Sequence, residues 1–212
     1  MIIEQPARFL RWLYPNAVWR MDPRRKVIYL TFDDGPIPEA TPFVLDVLAD
    51  YDIKATFFCV GDNVRKHPDI FQRVLEEGHR IGNHTYNHIG GFRWPSDKYL
   101  ENTELAQCII HNSQLAISSS PPLFRPPHGW MRPMQYRVIR AQGYRIIMWD
   151  LVTRDYSRRL SAEDVLNNVK HYARNGSIIT FHDSLRSIDK LRKILPQAIE
   201  WLIGEGYEFG TL

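Results

Sequence analysis

A chain of 212 residues, 44% hydrophobic and 24% charged, suits one large globular domain with a sizeable core. Its net charge of +3 is spread without a basic tract, which gives nucleic acid no electrostatic footprint, and short clusters such as Arg24, Arg25, Lys26 and Arg158, Arg159 read as solvated faces. Two cysteines, Cys59 and Cys108, exclude a disulfide framework and a zinc-thiolate site.

The opening MIIEQP lacks the charged-then-apolar build of a secretory signal, and no window reaches the length of a membrane span. The default expectation is therefore a cytoplasmic location, with a trimmed export signal as the alternative. Residues 8–14 form a short amphipathic stretch, expected to cover the barrel floor or a neighbouring helix, or else to touch a membrane surface. Residues 1–25 read as an N-terminal segment packed on a single domain, 26–212. Along that domain the pattern predicts strands at 26–32, 54–60, 79–83, 122–125, 144–150, 176–182 and 207–211. Helices are predicted near 40–51, 63–77, 97–117, 133–142, 161–174 and 188–204. Ser96 or Asp97 is a candidate cap for the third helix, and Ser161 with Asp164 matches a capping box. This alternation is the signature of a parallel sheet with helices outside it.

The segment TFDDGP (31–36) sets adjacent carboxylates, Asp33 and Asp34, at the end of an apolar strand. Close like charges with little solvent need a compensating cation or a reacting proton; solvated acids in a turn are the plainer alternative. HTYNH (84–88) offers His84 and His88 at i and i+4, which in one helical turn share a face and can reach a single metal. Two histidines and one acid leave a fourth position open, the pattern of a catalytic zinc site. RPPHG (125–129) adds Arg125 and FHD (181–183) adds His182, each after an apolar run. In the predicted order all these groups, with Asp150, fall at carboxyl ends of strands, where parallel barrels build their sites. Residues from non-neighbouring strands must meet there, which favours a barrel, and seven predicted strands imply imperfect closure. Which aspartate would bind a metal is left open by this reading.

TFDDGP, HTYNH, RPPHG and FHD occur in the order found in the polysaccharide deacetylases of carbohydrate esterase family 4, the NodB-homology domain, and the chain resembles that family from about residue 26 to the end. The resemblance implies an α/β fold, a distorted (β/α)7 barrel of TIM-barrel type, incompletely closed. It implies one divalent metal, most often Zn2+ with Co2+, Ni2+ or Mn2+ as alternatives, and hydrolysis of N-acetyl groups on GlcNAc-containing glycans of the peptidoglycan or chitin type. By the same resemblance Asp34, His84 and His88 hold the metal, Asp33 is the base, Arg125 tethers the base, His182 is the acid, and the backbone of His128 is the oxyanion donor. Pro126 and Pro127 have no N–H, so His128 is also the first backbone donor after Arg125.

Three positions depart from the pattern. Val152 stands where many members carry an aspartate that orients the acid histidine; Asp150, two residues earlier on the same strand face, is expected to substitute, with Asp155 as the alternative. Thr180 stands where an aliphatic residue often lines the acetyl pocket, and His128 replaces a common tyrosine. Trp130 and Tyr156 are candidates for sugar contact, or for core packing. An O-acetyl esterase and a carbohydrate-binding pseudoenzyme are the competing readings.

Overall fold

The computed structural model describes residues 4–113 and 121–212. The run Val27–Asp33 forms β1, buried along its whole length, as expected of a strand covered on both faces. On one side it pairs in parallel with β2 (Thr56–Cys59), which leads through β3 (Arg80–Asn83) and β4 (Leu123–Phe124) to β5 (Arg145–Ile146). Another parallel partner, β7 (Ile178–His182), leads to β6 (Leu151–Val152). The path β5-β4-β3-β2-β1-β7-β6 is a curled sheet of seven parallel strands, with β8 (Glu208–Phe209) set beside the start of β1. Among the described residues β5 and β6 do not pair, so the (β/α)7 barrel has one open seam.

Helices α2 (Thr41–Asp50), α3 (Gly61–Lys66), α4 (Pro68–Glu76), α5 (Ser96–Asn112), α6 (Pro133–Ala141), α7 (Ala162–Tyr172) and α8 (Ile188–Gly204) connect the strands. The main core lies between α2, α4, α7, α8 and the sheet, around Phe32, Phe57 and Phe181, whose rings stack. The helix predicted at 63–77 is two, because His67 precedes Pro68 and is held out of the α region. Residues 114–117 of the predicted third helix lie outside the described residues. Pro95, not Ser96 or Asp97, is the N-cap of α5, whereas Ser161 and Asp164 do form a capping box on α7.

The predicted strand 144–150 shrinks to β5, and β6 begins just past its end at Leu151. Between them the chain pairs with the N-terminal segment: Val18 N–H donates to the Ile146 carbonyl, and Met148 N–H donates to that of Val18. Residues 4–21 follow the seam. Val152 N–H donates to the Glu4 carbonyl, Tyr14 Oη donates to the Met131 carbonyl, and Met21 N–H donates to that of Gly176. Gly176 has φ +75°, and a Cβ there would stand 2.7 Å from the Met21 carbonyl oxygen, so a side chain would push the strap away. The short helix α1 (Arg8–Leu13) packs through Leu10 against the cluster that includes Tyr136 and Ile139 of α6, and Arg11 reaches Asp150 at 3.6 Å. Among the described residues, no helix is long and apolar enough to cross a membrane.

Candidate active site

The ladder between β1 and β7 sets Asp33 directly beside His182. Asp34 follows with φ +87°, a left-handed turn held by Asn63 Nδ2, which donates to its carbonyl at 2.7 Å. That turn lets two consecutive carboxylates face one site. Behind it the Gly35 N–H donates to Asp183 Oδ1, and Thr41 Oγ1 donates to Asp183 Oδ2. Asp183 is fully buried, and burial pushes its carboxyl up to about 8. It was visible in the FHD string, but nothing in that string marked it as the support of the Asp34 turn.

Residues 84–88 are not the helical turn that their spacing predicts. Thr85 and His88 take φ of +63° and +54°, and the loop is pinned by side chains instead. Asn83 Oδ1 accepts the Thr85 N–H, and Asn102 Oδ1 accepts those of Tyr86 and Asn87. The outcome for the two imidazoles is the same, since both reach Asp34. His84 Nδ1 donates to the Arg125 carbonyl at 2.7 Å, which leaves Nε2 with its lone pair free. Burial, then the neighbouring His88, lowers the His84 pKa well below the usual range and keeps the ring neutral, the state a metal requires.

His84 Nε2 lies 3.9 Å and His88 Nε2 3.2 Å from Asp34 Oδ1. The three prospective ligand atoms all fall within 4.8 Å of one another. Asp34 Oδ1 is buried and makes no hydrogen bond. An orphaned carboxylate oxygen facing two imidazole nitrogens fits a divalent cation, which would supply the missing partner.

Arg125 is fully buried beneath this trio. Its Nη1 donates to Asp33 Oδ1 at 2.7 Å and to Thr31 Oγ1 at 2.8 Å, Nη2 donates to the Met148 carbonyl, and the guanidinium lies 4.1 Å from the Phe58 ring centroid. Burial nevertheless pushes the Asp33 carboxyl up; Arg125 and His182 pull it back, and Asp34 pushes it further up. The arginine thus fixes the position of Asp33, and burial makes it more basic than an exposed carboxylate.

Across the site, His182 Nδ1 lies 2.8 Å from Asp155 Oδ1. Burial opposes the imidazolium, but the Asp155 charge and hydrogen bond, with Asp34 and Asp33, raise its pKa to about 9. Asp150, expected as the first candidate for this contact, binds elsewhere: both carboxylate oxygens accept from Arg174, and Ser177 Oγ donates to Oδ2. Asp155 reaches His182 because the chain turns at Arg154, with φ +64°, whose Nη1 pairs with Glu4 of the N-terminal strap at 2.6 Å. Tyr156 stands edge-on to His182 at 4.7 Å.

The remaining expected residues divide. His128, with φ +60°, brings its ring 4.8 Å from that of His88. Trp130 is exposed on the rim, against Phe92. The Thr180 hydroxyl is buried against that of Thr31 at 3.2 Å, inside the barrel.

A family model described as polysaccharide deacetylase matches residues 20–147. The chain belongs to the polysaccharide deacetylase family. It is 35% identical to a peptidoglycan-N-acetylglucosamine deacetylase of Bacillus cereus, over 98% of this chain and 93% of that one. It is 37% identical to a chitooligosaccharide deacetylase of Rhizobium leguminosarum bv. trifolii, over 74% of this chain and 71% of that one. Among solved structures, a peptidoglycan N-acetylglucosamine deacetylase superimposes with a TM-score of 0.88 at 31% identity, over 95% and 94% of the two chains. A mutant of a family 4 pseudoenzyme, described as having restored activity, gives 0.83 at 26%, over 93% and 70%. Family 4 deacetylases are metal-dependent in general, and in this member the Asp34, His84 and His88 cluster is a possible metal site.

Proposed function

We propose that the chain is a metal-dependent hydrolase that removes N-acetyl groups from GlcNAc-containing glycans. The observation that carries this reading is the opposition of two proton-handling groups, Asp33 and His182, across adjacent strands beside the His84, His88 and Asp34 cluster. Those three residues hold one divalent ion. Zinc is the expected species, and cobalt, nickel or manganese suit the same donors. When bound, the ion polarises the acetamide carbonyl and acidifies water.

The protein's own groups do the rest. Asp33, fixed by Arg125, accepts the proton of the attacking water. His182, held as imidazolium by Asp155, delivers a proton to the departing amine nitrogen. The His128 backbone N–H is the donor for the developing oxyanion. An amine leaves only when its nitrogen is protonated, and Asp155 keeps His182 protonated at neutral pH, so the charged Asp155–His182 pair favours N-deacetylation over an O-acetyl esterase.

Acetate release from GlcNAc oligomers by zinc-loaded protein tests the reading, with O-acetylated xylan assayed in parallel. Loss of turnover in Asp33→Asn supports it. Binding without acetate release by the unaltered protein identifies a pseudoenzyme, and faster release from the O-acetyl substrate identifies an esterase.

A further inference from the structure

Beside the Asp34, His84 and His88 cluster lies a concavity of about 490 Å³ lined by Gly90, Phe92, Arg93, His128 and Trp130. His128 joins it to the site, since its ring contacts that of His88. The outer wall is aromatic and solvent-facing: Phe92 is 52% and Trp130 38% exposed, with ring centroids 6.1 Å apart. Large exposed apolar side chains grouped at a concave site mark a ligand surface.

The wall is braced in advance of any ligand. Arg132 Nη2 donates to the Phe92 carbonyl at 3.0 Å, Gln135 Nε2 donates to that of Gly91 at 2.9 Å, and Gly91 N–H donates to that of Trp130. Arg93 is exposed on the same wall, and its side chain makes no ion pair or hydrogen bond among the described residues. It lies close enough to His128 that its charge helps lower the pKa of that ring, after burial and His88. An arginine without a carboxylate partner, set among aromatic faces, is suited to an anionic group on a ligand whose ring stacks beside it.

We propose that this concavity binds the sugar next to the one that is deacetylated, and that Arg93 makes it prefer a sugar carrying a carboxylate. A muramyl residue whose lactyl carboxylate carries no peptide is such a sugar; a plain N-acetylglucosaminyl residue is not. Phe92 and Trp130 contact the apolar face of either, so they contribute affinity without discriminating. Arg93 discriminates. The proposal rests on the deacetylase reading above for the orientation of the glycan, and it names the substrate class within that reading.

The test uses the zinc-loaded protein with a GlcNAc–MurNAc oligomer, its lactyl methyl ester, and a chitooligosaccharide of equal length. Calorimetry gives affinity and acetate release gives turnover. An exposed ion pair supports roughly fivefold tighter binding of the free acid than of the ester, expressed in KM and not in kcat. Arg93→Gln removes that preference and leaves the ester and the chitooligosaccharide unchanged, and added salt erodes it in the unaltered protein. Trp130→Ala weakens acid and ester alike. Equal affinity for acid and ester in the unaltered protein, or equal weakening of both by Arg93→Gln, overturns the proposal even if acetate is released. Preference for the acid without acetate release overturns the deacetylase reading and leaves the role of Arg93 standing.

Discussion

Asp155 holds His182 by two contacts: Oδ1 lies 2.8 Å from the ring Nδ1, and Oδ2 accepts the His182 backbone N–H at 2.7 Å. Backbone and ring are fixed by one carboxylate, which leaves Nε2 as the only ring nitrogen able to address a substrate. The imidazolium is present below its pKa of about 9 and is lost as pH rises through that value. Turnover that depends on it falls on the basic side. An NMR titration of metal-free protein reads this pKa directly. Zinc loading lowers it, because a cation at Asp34 cancels one of the charges that raise it. Asp155→Asn shifts the basic limb down by more than about one unit and reduces kcat by about 10²-fold. The same group affects stability. Its contribution is fully present below the unfolded value of about 6.5 and fades as pH rises toward 9.

Asp150 separates fold from chemistry. It is fully buried and bound by Arg174, which is itself 43% exposed. Solvent screening at the arginine reduces what the pair contributes, so Asp150→Asn is expected to cost about 2 kcal/mol and not the larger penalty of a fully buried pair. Urea unfolding measures that loss. The pH–rate profile of the variant stays in place, whereas a displaced basic limb would give Asp150 a share in orienting His182.

Metal binding has a readout apart from turnover. An ion that binds only the folded chain stabilises it by about 2.7 kcal/mol at a hundredfold excess over Kd. Zinc raises the melting temperature accordingly, and a chelator reverses the rise. His88→Ala and Asp34→Asn each remove a donor and weaken zinc binding by at least about a hundredfold in calorimetry. An unchanged zinc affinity in either variant would remove that residue from the ligand set.

Gly35 is a steric prediction. A Cβ there would fall 1.9 Å from Asp183 Oδ2, in a fully buried setting. Gly35→Ala must move Asp183 or the Asp34 turn, at a cost of about 1–3 kcal/mol. The displaced turn also loosens the zinc site, so thermal stability and zinc affinity fall together. Stability falling alone would show that Asp183 gives way and Asp34 stays.

The sheet was legible in the sequence because its strands are short apolar runs, separated by helices that end in glycine. The grouping of Asp34, His84 and His88 was legible because these residues stand at strand ends, which the βα order brings to one rim. Its local geometry was not. The His84–His88 spacing suggested a helix, but left-handed residues and the distant Asn102 shape the loop. The choice of Asp150 over Asp155 failed for a related reason. An apolar run at 144–150 read as one strand whose face would carry Asp150 and Val152 together. In the protein the run is interrupted by Val18, a partner more than a hundred residues away, and the turn at Arg154 is held by Glu4. Pairings over such separations leave no periodic trace in a single sequence.

The position of β1 has a consequence for how this chain comes to be folded. Of the three neighbours of the strand that carries Asp33, only β2 is synthesised soon after it; β7 and β8 follow at Ile178 and Glu208. Until residues 178–209 are available, a strand that is buried along its whole length in the fold has one edge without a partner. Native contacts of such long sequence separation slow folding and prolong the exposure of that edge. Truncation before β7 therefore yields a chain that aggregates instead of a smaller folded domain.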